Sequence, residues 1–145
     1  KESFHGRSFG AVSVTGHDAY REPFEPLVPG VSFAQYNDLD SVKALVTDKT
    51  CAIILEPLQG EGGFIPAPIE FVKKLRKICD DNGIMLIADE VQCGNCRTGK
   101  YFTSEYWKEA GAAPDIIATA KSMGAGVPIS AAISTLGLFR NMRAA

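Results

Sequence analysis

Residues 68–90 read PIEFVKKLRKICDDNGIMLIADE, and how this stretch folds decides the architecture around it. In its first part Ile69, Val72, Leu75, Ile78 and Cys79 recur at three- and four-residue spacing, while Lys73, Lys74, Arg76, Lys77 and Asp80 fall largely elsewhere. That spacing predicts a helix with one apolar face. Asn82-Gly83 is a helix stop, because glycine accepts the left-handed conformation that ends many helices. The chain then enters an apolar run, IMLIADE (84–90), whose tip carries Asp89 and Glu90.

Outward from this unit the pattern repeats. CAIILEP (51–57) precedes it as a short apolar run, and SEYWKEAG (104–111) follows as a short helix. DIIATAK (115–121) and PISAAIS (128–134) are further apolar runs. Runs of this length without alternation suit strands buried on both faces, and helices between them suit crossover connections. The expected fold is therefore a three-layer α/β domain with a mostly parallel sheet, and 145 residues suit one domain. Further upstream, YREPFEPLVPG (20–30) reads as an extended loop in which Phe24 and Leu27 can pack. VSFAQYN (31–37) reads as a strand, and DLDSVKALV (38–46) as a helix capped by Asp38 or Asp40.

Composition narrows the function. Fifteen basic residues stand against seventeen acidic ones, a net charge of −2, with no basic stripe, which argues against a nucleic-acid partner. No apolar stretch approaches the roughly 18 residues of a membrane span, and the opening KESFHGRSFG has no apolar region of the secretory kind. Four cysteines are too few for a disulfide scaffold in a chain this long. Cys51 and Cys79 sit in apolar segments as buried thiols. Cys93 and Cys96 form a C-x-x-C with no second ligand pair, so no metal site is expected. This cysteine usage suits a reducing, intracellular setting: cytoplasm, mitochondrial matrix or plastid.

In parallel α/β sheets ligands collect beyond the carboxyl ends of the strands. Three of the four runs end there in a polar group: Glu56, Asp89 and Lys121. A lone strand-end lysine commonly just extends to solvent, and a lone strand-end aspartate commonly caps. Asp89 and Lys121 are one helix apart, on consecutive strands expected to be neighbours. A lysine that holds an aldehyde as an imine, beside a carboxylate that keeps a pyridine nitrogen protonated, is what a pyridoxal phosphate site requires. Neither G-x-G-x-x-G nor G-x-x-x-x-G-K-[ST] occurs, which disfavours a dinucleotide or P-loop site. EPLQGEGGFIP (56–66) adds a Gly-rich segment in which Glu56, Gln59 and Glu61 can face one cleft. SFHGRSFGA (3–11) adds Phe4, able to stack on a planar ligand, and Arg7, able to take a carboxylate bidentately.

In order along the chain, SFHGR, YREPFEPLVPGV, EPLQGEGG, LIADEVQCG with RTG, and PDIIATAKSMGAGVPISA resemble the motifs of the class III pyridoxal-phosphate aminotransferases. The resemblance runs to about Ile133 and fades by about Leu136. Within the class the pattern is most similar to the acetylornithine aminotransferases, with the ornithine and 4-aminobutyrate aminotransferases as competitors. It implies a fragment of the fold type I large domain and the cofactor pyridoxal 5′-phosphate. It implies transfer of an amino group from N-acetylornithine, or a similar ω-amino donor, to 2-oxoglutarate in arginine biosynthesis, by a homodimer. Lys121 matches the catalytic lysine, and Asp89 the carboxylate on the ring nitrogen. Val91 and Phe4 match the residues on the two ring faces, Gln92 the neighbour of the phenolic oxygen, and Glu90 another member of the cofactor-binding run. Arg7 matches the substrate-carboxylate arginine, Glu61 the glutamate that helps choose between substrate ends, and Glu56 a second acid behind the cofactor.

The pattern departs from the family at Cys96 and Ala125, where glycine is usual. A side chain at a position that needs a positive φ is strained. The family's upstream phosphate loop, its partner-subunit phosphate contact and its small C-terminal domain have no counterpart in these residues. The 145-residue chain by itself is therefore expected to be weakly active or inactive. Two alternatives remain at this level: an aminomutase or decarboxylating use of the same cofactor, and a non-catalytic α/β piece that cannot hold it.

Overall fold

The computed structural model describes residues 1–140. Helix α4 (Ile69–Asn82) leads into strand β4 (Met85–Asp89), as the sequence predicts. Gly83 adopts φ 66° at the helix end, and Ile84 N–H donates to the Cys79 carbonyl at 2.8 Å, closing the last turn. The buried face of α4 consists of Phe71, Val72, Leu75 and Cys79. Ile69 was expected there but lies 37% exposed, and Ile78 is half-buried. Phe71 is buried in the first turn instead, and joins the core cluster.

Strand β1 (Ala52–Leu55), β4 and β5 (Ile116–Thr119) pair in parallel, and β6 (Ala131–Ser134) closes the row antiparallel to β5, in the order β1-β4-β5-β6. A small hairpin, β2 (Leu58–Gln59) with β3 (Ile65–Pro66), holds the Gly-rich segment after β1. The sheet is mostly parallel, as the apolar runs require.

Burial is less symmetric than those runs suggest. Register places Ile53, Leu55, Leu86, Ala88 and Ile117 on one face, and these join the single core cluster with α4, Trp107 and Val42. Met85 and Ile87, on the opposite face, are only half-buried. On β6, Ala132 and Ile133 are exposed. Among the described residues the core helices pack on one side of the sheet, so alternate side chains meet different surroundings. Full burial of a leucine such as Leu75 or Leu86 stabilises by about 1.5–3 kcal/mol. Most of the cohesion therefore lies on that face.

Helix α5 (Ser104–Glu109) and helix α3 (Leu39–Lys43) form where expected. Asp38 is the cap of α3, accepting from Asp40 N and Ser41 N. The segment 31–37 is not a strand. Its polar backbone groups go to neighbours outside any sheet: the Ala34 carbonyl accepts from the Lys1 amino group, and Gln35 N–H donates to Ser41 Oγ. The start of YREPFEPLVPG is not extended either. Helix α2 (Asp18–Arg21) runs into a 3₁₀ turn at Glu22–Phe24, with Pro23 preset for helical φ, and Phe24 stays exposed. Helix α1 (Phe9–Val14), which the sequence patterns do not suggest, packs Val12 inward, and α6 (Leu136–Arg140) follows β6.

Candidate active site

Asp89 is the last residue of β4, and Lys121 follows the end of β5 at the start of a 3₁₀ turn, Lys121–Gly124. β4 and β5 are neighbours, so the two side chains meet at one rim. Together with Phe4, Val91 and Gln92 they line a single cleft, which His5, Gly6, Glu56, Gly60 and Glu61 complete. The N-terminal segment, the Gly-rich loop and the two strand ends thus converge there from widely separated positions.

Asp89 is 4% exposed, and both its carboxylate oxygens are engaged. Oδ1 accepts from Val91 N–H at 3.0 Å, and Oδ2 lies 2.8 Å from His5 Nδ1. An ionised carboxylate can only accept, so Nδ1 carries the hydrogen. The His5 side chain is 2% exposed. Its own N–H donates to Thr15 Oγ1, fixing the backbone beneath the ring.

His5 is the residue to which the sequence patterns assign no role. The SFHGR segment shows an imidazole, but its partner lies 84 residues away, and no local pattern reports such a contact.

Glu56, at the tip of β1, is a clamp between two walls of the cleft. Oε1 accepts from Phe4 N–H and Oε2 from Gly60 N–H, each at 3.0 Å. Burial raises the Glu56 pKa above the ordinary carboxyl value, and Asp89 adds to the rise; the two N–H donors and His5 oppose it. Tyr36 donates its hydroxyl to the Glu56 carbonyl at 2.8 Å, and burial there drives the phenol upward. Phe4 is braced edge-on by Tyr20, with ring centres 5.4 Å apart.

Gly60 is required by close approach, since a Cβ there would lie 2.6 Å from Gln92 Cγ. The glycine leaves room for Gln92, whose Oε1 accepts from Lys121 Nζ. Lys121 itself is exposed and holds φ 49°, a left-handed conformation uncommon for a residue with a side chain.

Three expected site residues are placed differently. Glu90 is fully buried and turned from the cleft; its carboxylate accepts from Thr103 N–H at 2.6 Å and Ser104 N–H at 2.8 Å, capping α5. Consecutive residues at a strand end point to opposite sides, so Asp89 and Glu90 cannot share one site. Gln59 also turns away, donating to the Lys1 carbonyl at 2.9 Å. Arg7 is exposed beside the cleft rather than lining it, its guanidinium 5.6 Å from the Phe4 ring and 5.4 Å from the Tyr20 ring. Glu61 lines the cleft from an exposed position.

Both departures from glycine fall at left-handed positions, Cys96 at φ 67° and Ala125 at φ 46°. Cys96 is exposed and Cys93 buried, and all four cysteines are free. The expectation of a buried Cys51 is not met: it precedes β1 at the surface. Among the described residues no cluster suited to a metal ion is present, and no helix is long and apolar enough to cross a membrane.

A family model described as "Aminotransferase class-III" matches residues 1–144, past the point near Leu136 where the motif resemblance fades. The acetylornithine aminotransferase of Clostridium acetobutylicum is 48% identical over 132 residues, covering 91% of this chain and 33% of that protein. An ornithine aminotransferase from Toxoplasma gondii superposes with a TM-score of 0.86 at 31% identity, over 97% of this chain and 33% of that one. An amine transaminase from an uncultivated Pseudomonas species, in a PLP-bound form, gives a TM-score of 0.85 at 32% identity, over 97% of this chain and 36% of that one. The chain spans about a third of the length of the curated relatives it matches.

Proposed function

We propose a function on one premise: this chain belongs to the class-III aminotransferase family. The whole protein is a pyridoxal 5′-phosphate-dependent aminotransferase, and these residues form the ring-binding part of its active site. The observation that carries the reading is the convergence of Lys121 and Asp89, from adjacent strand ends, on one cleft walled by Phe4 and Val91.

The residues present suit the cofactor. When bound, its protonated ring acts as an electron sink for the pair released as a C–H bond beside an amine breaks. Asp89 is a buried carboxylate held by His5 and Val91 N–H, able to accept from the ring nitrogen. Phe4 and Val91, which line the cleft, would hold the two ring faces, and Gln92 would stand near the phenolic oxygen. Glu56 keeps Phe4 and the Gly60 turn in register. Lys121 would supply the amine that holds the cofactor, and its Nζ is the group that would carry the substrate's α proton. Glu90 serves the site indirectly, by tying the start of α5 to the segment that bears Val91 and Gln92.

The amino donor is N-acetylornithine and the acceptor 2-oxoglutarate, a reaction of arginine biosynthesis. Arg7 takes the substrate carboxylate, Glu61 discriminates the substrate's ends, and the protein works as a homodimer inside the cell. Identity to acetylornithine aminotransferases supports this donor, while the likeness to an ornithine aminotransferase structure keeps ornithine as the second candidate, with 4-aminobutyrate behind it.

Borohydride reduction of the whole protein with pyridoxal phosphate, followed by mass mapping, should place the adduct on Lys121. An adduct on another lysine alone, or none, refutes the site. A panel of N-acetylornithine, ornithine and 4-aminobutyrate then fixes the donor: a higher kcat/KM for either of the last two overturns that assignment.

A further inference from the structure

Lys121 leaves the sheet in a conformation that the sheet does not hold. Ladder pairing of β5 ends at Thr119, and Ala120 and Lys121 lie beyond it. A left-handed backbone costs a residue with a side chain about 1–2 kcal/mol, and it persists only where the surroundings hold it. One local bond contributes, Met123 N–H to the Ala120 carbonyl at 3.1 Å. The other restraint comes from a separate loop. Asn95 Nδ2 donates to Thr119 Oγ1 at 3.1 Å and to the Ala120 carbonyl at 3.4 Å, so both its amide hydrogens have acceptors around the peptide that begins Lys121.

The loop is shaped for this reach. It turns sharply after β4, Gly94 N–H donating to the Glu90 carbonyl at 2.9 Å, and a Cβ on Gly94 would lie 2.7 Å from that oxygen. Asn95 then takes φ 56°, a conformation asparagine tolerates better than most residues. Its short side chain crosses to β5, where Thr119 is 2% exposed. The loop after Asp89 and the Lys121 turn are thereby tied together at a second point, besides the Gln92–Lys121 contact.

We propose that Asn95 is a positioning residue for Lys121, its amide holding the end of β5 so that Nζ is presented to the cleft. The proposal rests on the reading of Lys121 as the reactive lysine. Asn95 does not line the cleft, and its effect passes through Lys121.

Two variants separate amide from backbone. Asn95→Gly keeps the left-handed turn and deletes the side chain; Asn95→Asp keeps the turn and removes both donors. In the cofactor-free whole protein, modification of Lys121 by trinitrobenzenesulfonate is followed by mass mapping, with the exposed Lys73 and Lys77 of α4 as internal references. Both variants should modify Lys121 at least threefold faster than wild type, with Lys73 and Lys77 unchanged. Borohydride-trapped pyridoxal phosphate on Lys121, at limiting cofactor, should fall at least tenfold. An untethered lysine is thus freer toward a general reagent and poorer toward the cofactor.

Wild-type rates in both arms overturn the proposal, and so does equal acceleration at all three lysines, which marks general loosening. Should Asn95→Gly not fold, Asn95→Asp decides alone. If wild-type Lys121 takes up no cofactor, the functional reading falls, while the cofactor-free labelling still decides the tether.

Discussion

Replacing His5 with phenylalanine tests whether the buried imidazole holds Asp89 by its hydrogen bond or only by filling space. The His5 side chain is 2% exposed and that of Asp89 5%, with 2.8 Å between Nδ1 and Oδ2. Phenylalanine keeps a planar ring of similar size, so the cavity contribution is small and the lost donor dominates. Asp89 would retain Val91 N–H on Oδ1 and nothing on Oδ2. Leaving a buried charged acceptor unsatisfied costs about 1.5–3 kcal/mol, and more where no water enters. Asp89→Asn on its own costs less, because a neutral amide needs less compensation and can still accept from the imidazole. The double variant His5→Phe/Asp89→Asn should therefore lose less than the sum of the singles, with a coupling of about 1–2 kcal/mol. The measurement is urea unfolding of all four proteins without cofactor, by circular dichroism. Equal losses for His5→Phe in the presence and absence of Asp89→Asn, or a loss below about 0.5 kcal/mol, would mean that the imidazole only fills space.

Further outcomes follow from the same geometry. Glu56 has a folded-state pKa above its ordinary 4.5, so its ionisation opposes folding. The stability tied to the protonated acid is full below that value and is lost as pH rises through the folded value. Glu56→Gln should therefore flatten the fall in stability with rising pH above about 4.5; an unchanged slope in unfolding titrations contradicts this. Cys96→Gly should stabilise by about 0.5–1 kcal/mol, because the left-handed φ of 67° strains cysteine and not glycine. A urea midpoint at or below wild type counts against it. Iodoacetamide at mildly alkaline pH should modify the exposed Cys51 and Cys96 while sparing Cys79 and Cys93, whose thiols burial pushes up to about 11. Early labelling of Cys93 in a mass-resolved time course would show that this thiol is not shielded.

The features legible along the chain are those that local periodicity and local chemistry control. The helix at 69–82, its stop at Gly83, the strands beside it and the Asp38 cap follow from side chains within a few residues of one another. The Asp89–Lys121 pair was legible because parallel strands must place their ends on one rim, whichever strands they are. The remaining features depend on long-range packing. Asp89 and Glu90 are adjacent carboxylates with opposite fates, because the pleat turns one to the cleft and the other to the N-terminus of α5. Residues 31–37 look strand-like, yet their backbone groups find partners in Lys1 and Ser41 rather than in a ladder. His5 reaches Asp89 across 84 residues, and Asn95 reaches the peptide before Lys121 across 25. Such contacts depend on where two distant segments are brought by the packing of everything between them, and spacing along a chain carries no record of that.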